Sequence, residues 1–112
     1  MAKPAQRTYS HYAKDAARLL GLLIRSGRTE RGMTVAEAAE RAGISRGLVH
    51  RVENGDMGCS LGAAFELAAL AGVRLFEAEP TTLTKHLAMA RDKLVLLPKA
   101  VHQRMGKVDD DF

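Results

Sequence analysis

A chain of 112 residues with 17 Lys/Arg against 13 Asp/Glu, a formal net charge of +4, suffices for one small domain with an arm or tail that borrows stability from a partner chain. Aromatics are 4% and tryptophan is absent, so the core must come from Leu, Ala, Val and Ile, a composition that favours helices in close contact. The single cysteine, Cys59, excludes an internal disulfide, and the lack of a membrane-length apolar run or a charged-then-apolar leader predicts a cytoplasmic protein that does not associate with membranes.

Residues 1–12 (MAKPAQRTYSHY) hold a proline, mixed polar residues and two tyrosines without helical period, and are expected to form a flexible arm. A first helix is predicted from Ala13 to Arg31, with Ala16, Leu20, Leu23 and Ile24 on one face and Gly32 ending it. Thr34 followed three residues later by Glu37 is a capping-box pattern, in which hydroxyl and carboxylate satisfy orphan backbone amides and start a second helix. Val35, Ala36, Ala38, Ala39 and Ala42 keep that helix small enough for close approach, and Gly43 breaks it. Ser45 then caps a third helix through Leu48, Val49, His50, Arg51 and Val52, stopped by Asn54-Gly55. Ile44, Val49 and Val52 turn an apolar face back on the second helix, so the connection is only Gly43 and Ile44 plus the cap.

Ser60 caps a fourth helix, Leu61 to Ala71, with Phe65, Leu67, Ala68 and Leu70 available for the core and Gly72 as its stop. Val73 to Glu77 alternates apolar and polar residues ahead of Pro80, which suits a short strand. A lone strand needs a partner for its backbone groups, and the same strand of a second subunit would supply one; an extended linker is the alternative. Leu83, Leu87, Ala90, Leu94 and Leu97 recur at helical spacing up to Pro98, predicting a fifth helix with one face buried on its own domain or across a dimer. The remainder (KAVHQRMGKVDDDF) closes on Asp109, Asp110, Asp111 and a terminal phenylalanine, a pattern of solvated disorder or of docking into a basic groove.

The expected architecture is therefore all-α: a five-helix helix-turn-helix DNA-binding domain with a short C-terminal dimerisation strand and tail. The flexible arm spans 1–12, the helix-turn-helix domain 13–77 with its strand at 73–77, and the C-terminal helix and acidic tail 78–112. Two short helices joined by a tight turn, the second basic, are the layout of a DNA-reading element. The second of them leaves Arg46, Gly47, His50 and Arg51 outward. Arginine forks suit guanine edges and phosphates, although alone they would equally make a solvated face. Residues 1–60 carry ten Lys/Arg against six Asp/Glu, the whole of the excess, while 61–112 carry seven of each; such charge drives counterion release at phosphates. A frayed terminus is the default for the arm, with Lys3 and Arg7 reaching a DNA backbone or groove as the alternative. Ser45 and the amides beside it should anchor a phosphate, because a helix N-terminus carries partial positive charge. The candidate DNA-contacting residues are Thr34, Ser45, Arg46, Gly47, His50, Arg51 and Asn54. Candidate dimer contacts are Val73, Leu75, Phe76, Leu87 and Leu94.

An enzyme is not expected. His11, His50, His86 and His102 are scattered, Cys59 has no second ligand at metal spacing, and no phosphate loop or nucleophile elbow occurs. The three terminal aspartates make a poor cation cage. Neither cofactor nor metal is anticipated.

From Leu19 to Leu75 the chain resembles the Xre family, the DNA-binding domains of phage repressors and Cro. The resemblance is carried by Arg28, Thr34, Glu37, Ala39, Gly43-Ile44-Ser45, Val49, Val52 and Glu53-Asn54-Gly55. It implies an inward salt bridge between Arg28 and Glu53, and a symmetric dimer on inverted-repeat operator DNA. The chain departs from the family at Val35, where a glutamine is common, and at Gly47, often a base-reading side chain, so readout should lean on Arg46 and Arg51. The VRLFE segment and the RDKLVLLPK segment are further similar to antitoxins that pair with HipA-type Ser/Thr kinase toxins. That similarity implies an autoregulatory repressor with a HipA-like kinase partner. A stand-alone regulator and a protein-interaction adaptor without DNA binding are the alternatives.

Overall fold

Four hydroxyl residues and four glycines mark out the first four helices of the computed structural model, which describes residues 8–98. Helix α1 (His11–Glu30) opens on Ser10, whose hydroxyl accepts from the Ala13 N–H at 3.1 Å. Helix α2 (Val35–Ala42) opens on the full capping box: Thr34 Oγ1 accepts from the Glu37 N–H at 3.0 Å, and the Glu37 carboxylate accepts from the Thr34 N–H at 2.8 Å. Helix α3 (Arg46–Glu53) and helix α4 (Leu61–Ala71) open on Ser45 and Ser60 in the same way. Each cap answers an amide that has no acceptor within the first turn. Thr34→Ala removes one of the two bonds and unsettles the other, and should cost about 1 kcal/mol, read as a lower urea midpoint at unchanged slope.

The ends of these helices are equally uniform. Gly32, Gly43, Gly55 and Gly72 all lie in the left-handed region at φ between 65° and 79°, where a side chain would be strained. The residue after each glycine turns its N–H back across the last turn: Met33 to Arg28 O, Ile44 to Ala39 O, Asp56 to Arg51 O and Val73 to Ala68 O, at 2.9–3.0 Å. This is the Schellman arrangement, usually accompanied by an apolar contact from that residue. Met33 is buried, and Ile44 and Val73 pack against the core. Asp56 is exposed.

Two units divide after Leu75. In the first, α1 packs on α3 and α4, and α2 packs on the same two helices. Ile24, Met33, Ala38, Ala39, Val49, Val52, Leu67, Ala68 and Ala71 form the core. Helix α1 approaches closely enough to use glycine at its crossings: a Cβ on Gly21 would stand 2.5 Å from the Glu53 carbonyl oxygen, and one on Gly27 would overlap that of Ala71. The inward face of α1 is accordingly Leu20, Gly21, Ile24 and Gly27, whereas Ala16 and Leu23 are exposed. The expected face was displaced because an apolar pattern gives glycine no weight. Phe65 and Ala36 also stand outside the core, with Ala63 and Ala71 buried instead.

The predicted strand at 73–77 does not form, and the described residues contain no strand. A lone strand has no partner for its backbone, and the Val73 N–H is committed to α4. A 3₁₀ turn at Leu75–Glu77 follows, in which Phe76 (φ 57°) and Glu77 (φ 54°) are both left-handed, a geometry incompatible with a β-ladder. In the second unit Pro80 starts helix α5 (Pro80–Leu96) at its first position rather than closing a strand, a place where proline's missing N–H costs nothing. No residue of α5 is buried. Lys3, Arg7 and the acidic tail with Asp109–Asp111 lie outside the described residues.

Candidate nucleic-acid interface

The eight residues of α3 divide by spacing into two sides. Val49, Val52 and Glu53 are buried and Leu48 is half-buried, while Ser45, Arg46, Gly47, His50, Arg51 and Asn54 are all exposed. Positions 46, 47, 50, 51 and 54 fall on one side of a helix, so the structure brings these sequence-predicted contacts together. Thr34 is exposed at the head of α2, which packs against α3.

Polar chemistry concentrates at the N-terminus of α3. The Ser45 hydroxyl accepts from the Leu48 N–H at 3.0 Å and retains its own hydrogen to donate. The N–H groups of Arg46 and Gly47, in the first turn, have no acceptor inside the helix. Nothing crowds Gly47, where an added Cβ would meet only Ser45 Oγ at 3.9 Å; no packing requirement demands glycine, and the helix surface is flat there. Serine hydroxyl, two amides and the positive end of the helix together suit a phosphate. Arg46 makes no ion pair among the described residues.

The opposite side is anchored. Arg28 Nε and Nη2 donate to the two carboxylate oxygens of Glu53 at 2.6 and 3.0 Å, and Arg28 Nη1 donates to the Met33 carbonyl at 2.8 Å. Glu53 is only 6% exposed. The hydrogen bonds to Glu53, opposed by burial and helped by its charge, raise the Arg28 pKa above the ordinary arginine value. The ion pair implied by the family resemblance is thus present, and it joins the last residue of α3 to α1.

Arg51 is not free-standing, contrary to the simplest reading of its position. Its Nε donates to Asp56 Oδ2 at 3.2 Å, while Asp56 Oδ1 accepts from the Gly58 N–H at 2.7 Å. The Gly58 amide first, and Arg51 second, hold the Asp56 carboxyl below its usual range. The pairing therefore persists at neutral pH and is lost only on acidification past the ordinary carboxylate range. Burial pushes the neighbouring Cys59 thiol up, Asp56 adds to this and Arg51 opposes it. Asp56 was missed from sequence because Asn54-Gly55-Asp56 reads as a helix stop; the available signal was an acid placed five residues after an outward arginine.

The expected dimer contacts fall in both units. Val73 and Leu75 pack partly buried against the core of the first unit, whereas Phe76, Leu87 and Leu94 are 73%, 56% and 69% exposed in the second. There Phe76, Leu83, His86, Leu87 and Ala90 line an open concavity of about 430 Å³.

A family profile described as a helix-turn-helix domain matches residues 19–79, more than half of the chain. The chain belongs to the helix-turn-helix family. The match runs from α1 through the 3₁₀ turn, so it includes every element that positions α3. Helix-turn-helix domains are DNA-binding modules in which the second helix of the motif enters the major groove; here that helix is α3. The family is generally not enzymatic. No curated protein matches this helix-turn-helix chain significantly. Among the described residues, no helix is long and apolar enough to cross a membrane.

Proposed function

We propose that this protein is a cytoplasmic transcriptional repressor that binds an inverted-repeat operator in double-stranded DNA as a homodimer. The observation that carries the proposal is the division of α3: one side locked to the core through Val49, Val52 and the Arg28–Glu53 pair, the other presenting Ser45, Arg46, Gly47, His50, Arg51 and Asn54. Ser45 and the first amides of α3 hold a phosphate, Arg46 and Arg51 reach base edges, His50 and Gly47 lie against the groove, and Asn54 sits near the backbone. Thr34 adds a hydroxyl from α2. Two such helices about one helical turn apart, ~34 Å, read the two halves of a palindrome. Dimerisation is supported by the exposed apolar residues Leu87, Met89, Leu94 and Val95 of α5, which a second subunit would cover.

The VRLFE and RDKLVLLPK segments further support an autoregulatory antitoxin that represses its own operon and is bound by a HipA-like kinase; this part of the proposal rests on sequence resemblance alone. The test is binding of the purified protein to DNA from immediately upstream of its own gene, against scrambled DNA at one fixed salt concentration. Arg51→Ala is expected to weaken binding to the cognate site by about 1–3 kcal/mol and to relax its sequence preference. An equal loss on every sequence would make Arg51 a phosphate contact. Loss of palindrome-dependent binding in an Arg46→Ala/Arg51→Ala variant would support the repressor, and wild-type binding no better than to scrambled DNA would count against it.

A further inference from the structure

Four helices end on a left-handed glycine, and after three of them the next residue is apolar and turned toward the core. After α3 the corresponding residue is Asp56, exposed and charged. Its backbone N–H donates to the Arg51 carbonyl at 3.0 Å and its carboxylate accepts from Arg51 Nε at 3.2 Å. Main chain and side chain of one residue therefore both hold Arg51. The carboxylate is itself oriented by the Gly58 N–H at 2.7 Å, so it acts as a fixed post rather than a swinging partner.

Occupying Nε leaves the two terminal nitrogens of the guanidinium, with no stronger partner than the weakly accepting Cys59 thiol among the described residues. Those two nitrogens form the fork that matches guanine O6 and N7. An exposed ion pair of this kind, with side chains 55% and 39% accessible, contributes little to stability, so its presence calls for another explanation. A carboxylate beside Arg51 also repels phosphate and discourages the arginine from settling on the DNA backbone.

We infer that Asp56 is a positioning residue for DNA recognition, holding the Arg51 guanidinium end-on toward a base edge and away from the phosphates. The inference rests on the DNA-reading role of α3 proposed above. Asp56 makes sequence preference, at some expense of general affinity.

The test uses the full chain and a randomised duplex library, followed by titrations of the selected duplex and of single-base variants across a salt series. Asp56→Asn is the informative variant, because the amide oxygen can still accept from Gly58 and the backbone cap is untouched. Wild type is expected to prefer guanine over the other bases at one position by about 10-fold or more. In Asp56→Asn that preference should fall to about 3-fold or less. Binding to unrelated duplexes should tighten, and the plot of log K against log salt should steepen by roughly one phosphate contact. In an Arg51→Ala background, Asp56→Asn should leave base preference unaltered. If Asp56→Asn keeps the wild-type preference and merely binds all sequences more tightly, the positioning role is overturned and only a charge effect remains. If wild type selects no motif at all, DNA reading by α3 fails and the inference falls with it.

Discussion

Glu53→Ala is expected to cost about 3–5 kcal/mol of folding stability, against a total of roughly 5–15 kcal/mol for a domain. Glu53 is the buried acid at the end of α3, and its two oxygens take up two of the three Arg28 donors used in the structure. Removing the carboxylate leaves a guanidinium in a site where its side chain is 13% exposed, short of the solvent that would otherwise replace the lost bonds. The penalty comes from the charge left behind rather than from a large net worth of the pair. The paired replacement Arg28→Met/Glu53→Leu, which removes both charges and keeps apolar volume, should therefore sit far closer to wild type. Urea denaturation followed by far-ultraviolet circular dichroism reads both. A single variant within 1 kcal/mol of wild type would show that the pair is effectively solvated.

Gly27→Ala is the second large effect. Alanine is normally the better helix former by ~1 kcal/mol, so an exposed position would gain. Gly27 is buried where α1 crosses α4, and an added Cβ would overlap the Ala71 carbonyl oxygen. The obstruction is backbone and cannot move aside as a side-chain tip could, so the helices must separate or α1 must bend. Overpacking costs about 1–3 kcal/mol in ordinary cores, and contact with main chain places this substitution at the upper end. Gly62→Ala, where nothing lies within 4 Å, is the control and should be neutral or slightly stabilising. Comparable thermal midpoints for the two alanine variants would contradict the close crossing.

Helix boundaries in the first unit were readable because each is written in adjacent residues. Thr34 with Glu37, Ser45, Ser60 and the four glycines all act within five positions of themselves. Ser10 carries the same signal, but the tyrosines around it lack helical period and give the segment the pattern of an arm. The inward face of α1 was less legible: Gly21 and Gly27 owe their burial to carbonyls of α3 and α4 far along the chain, and no local pattern reports such an approach. The segment 73–77 failed for a different reason. Its alternation suits a strand, but Val73 and Leu75 are taken by the core and the left-handed Phe76 and Glu77 break the pleat. In the candidate interface, Arg46, His50 and Arg51 followed from helical spacing, whereas the Asp56 contact depends on a folded turn geometry that spacing alone does not convey.

The Arg28–Glu53 bond and the burial of Val49 and Val52 hold α3 to the core from its inner side. Positions 46, 47, 50 and 51 contribute no buried side chain, so exchanging them does not disturb the scaffold. Such a helix works as a typeface on a fixed press. Under the DNA-reading role proposed for α3, new sequence preferences would be explored one outward residue at a time while the melting temperature stays nearly constant, so new targets would not first require spare stability.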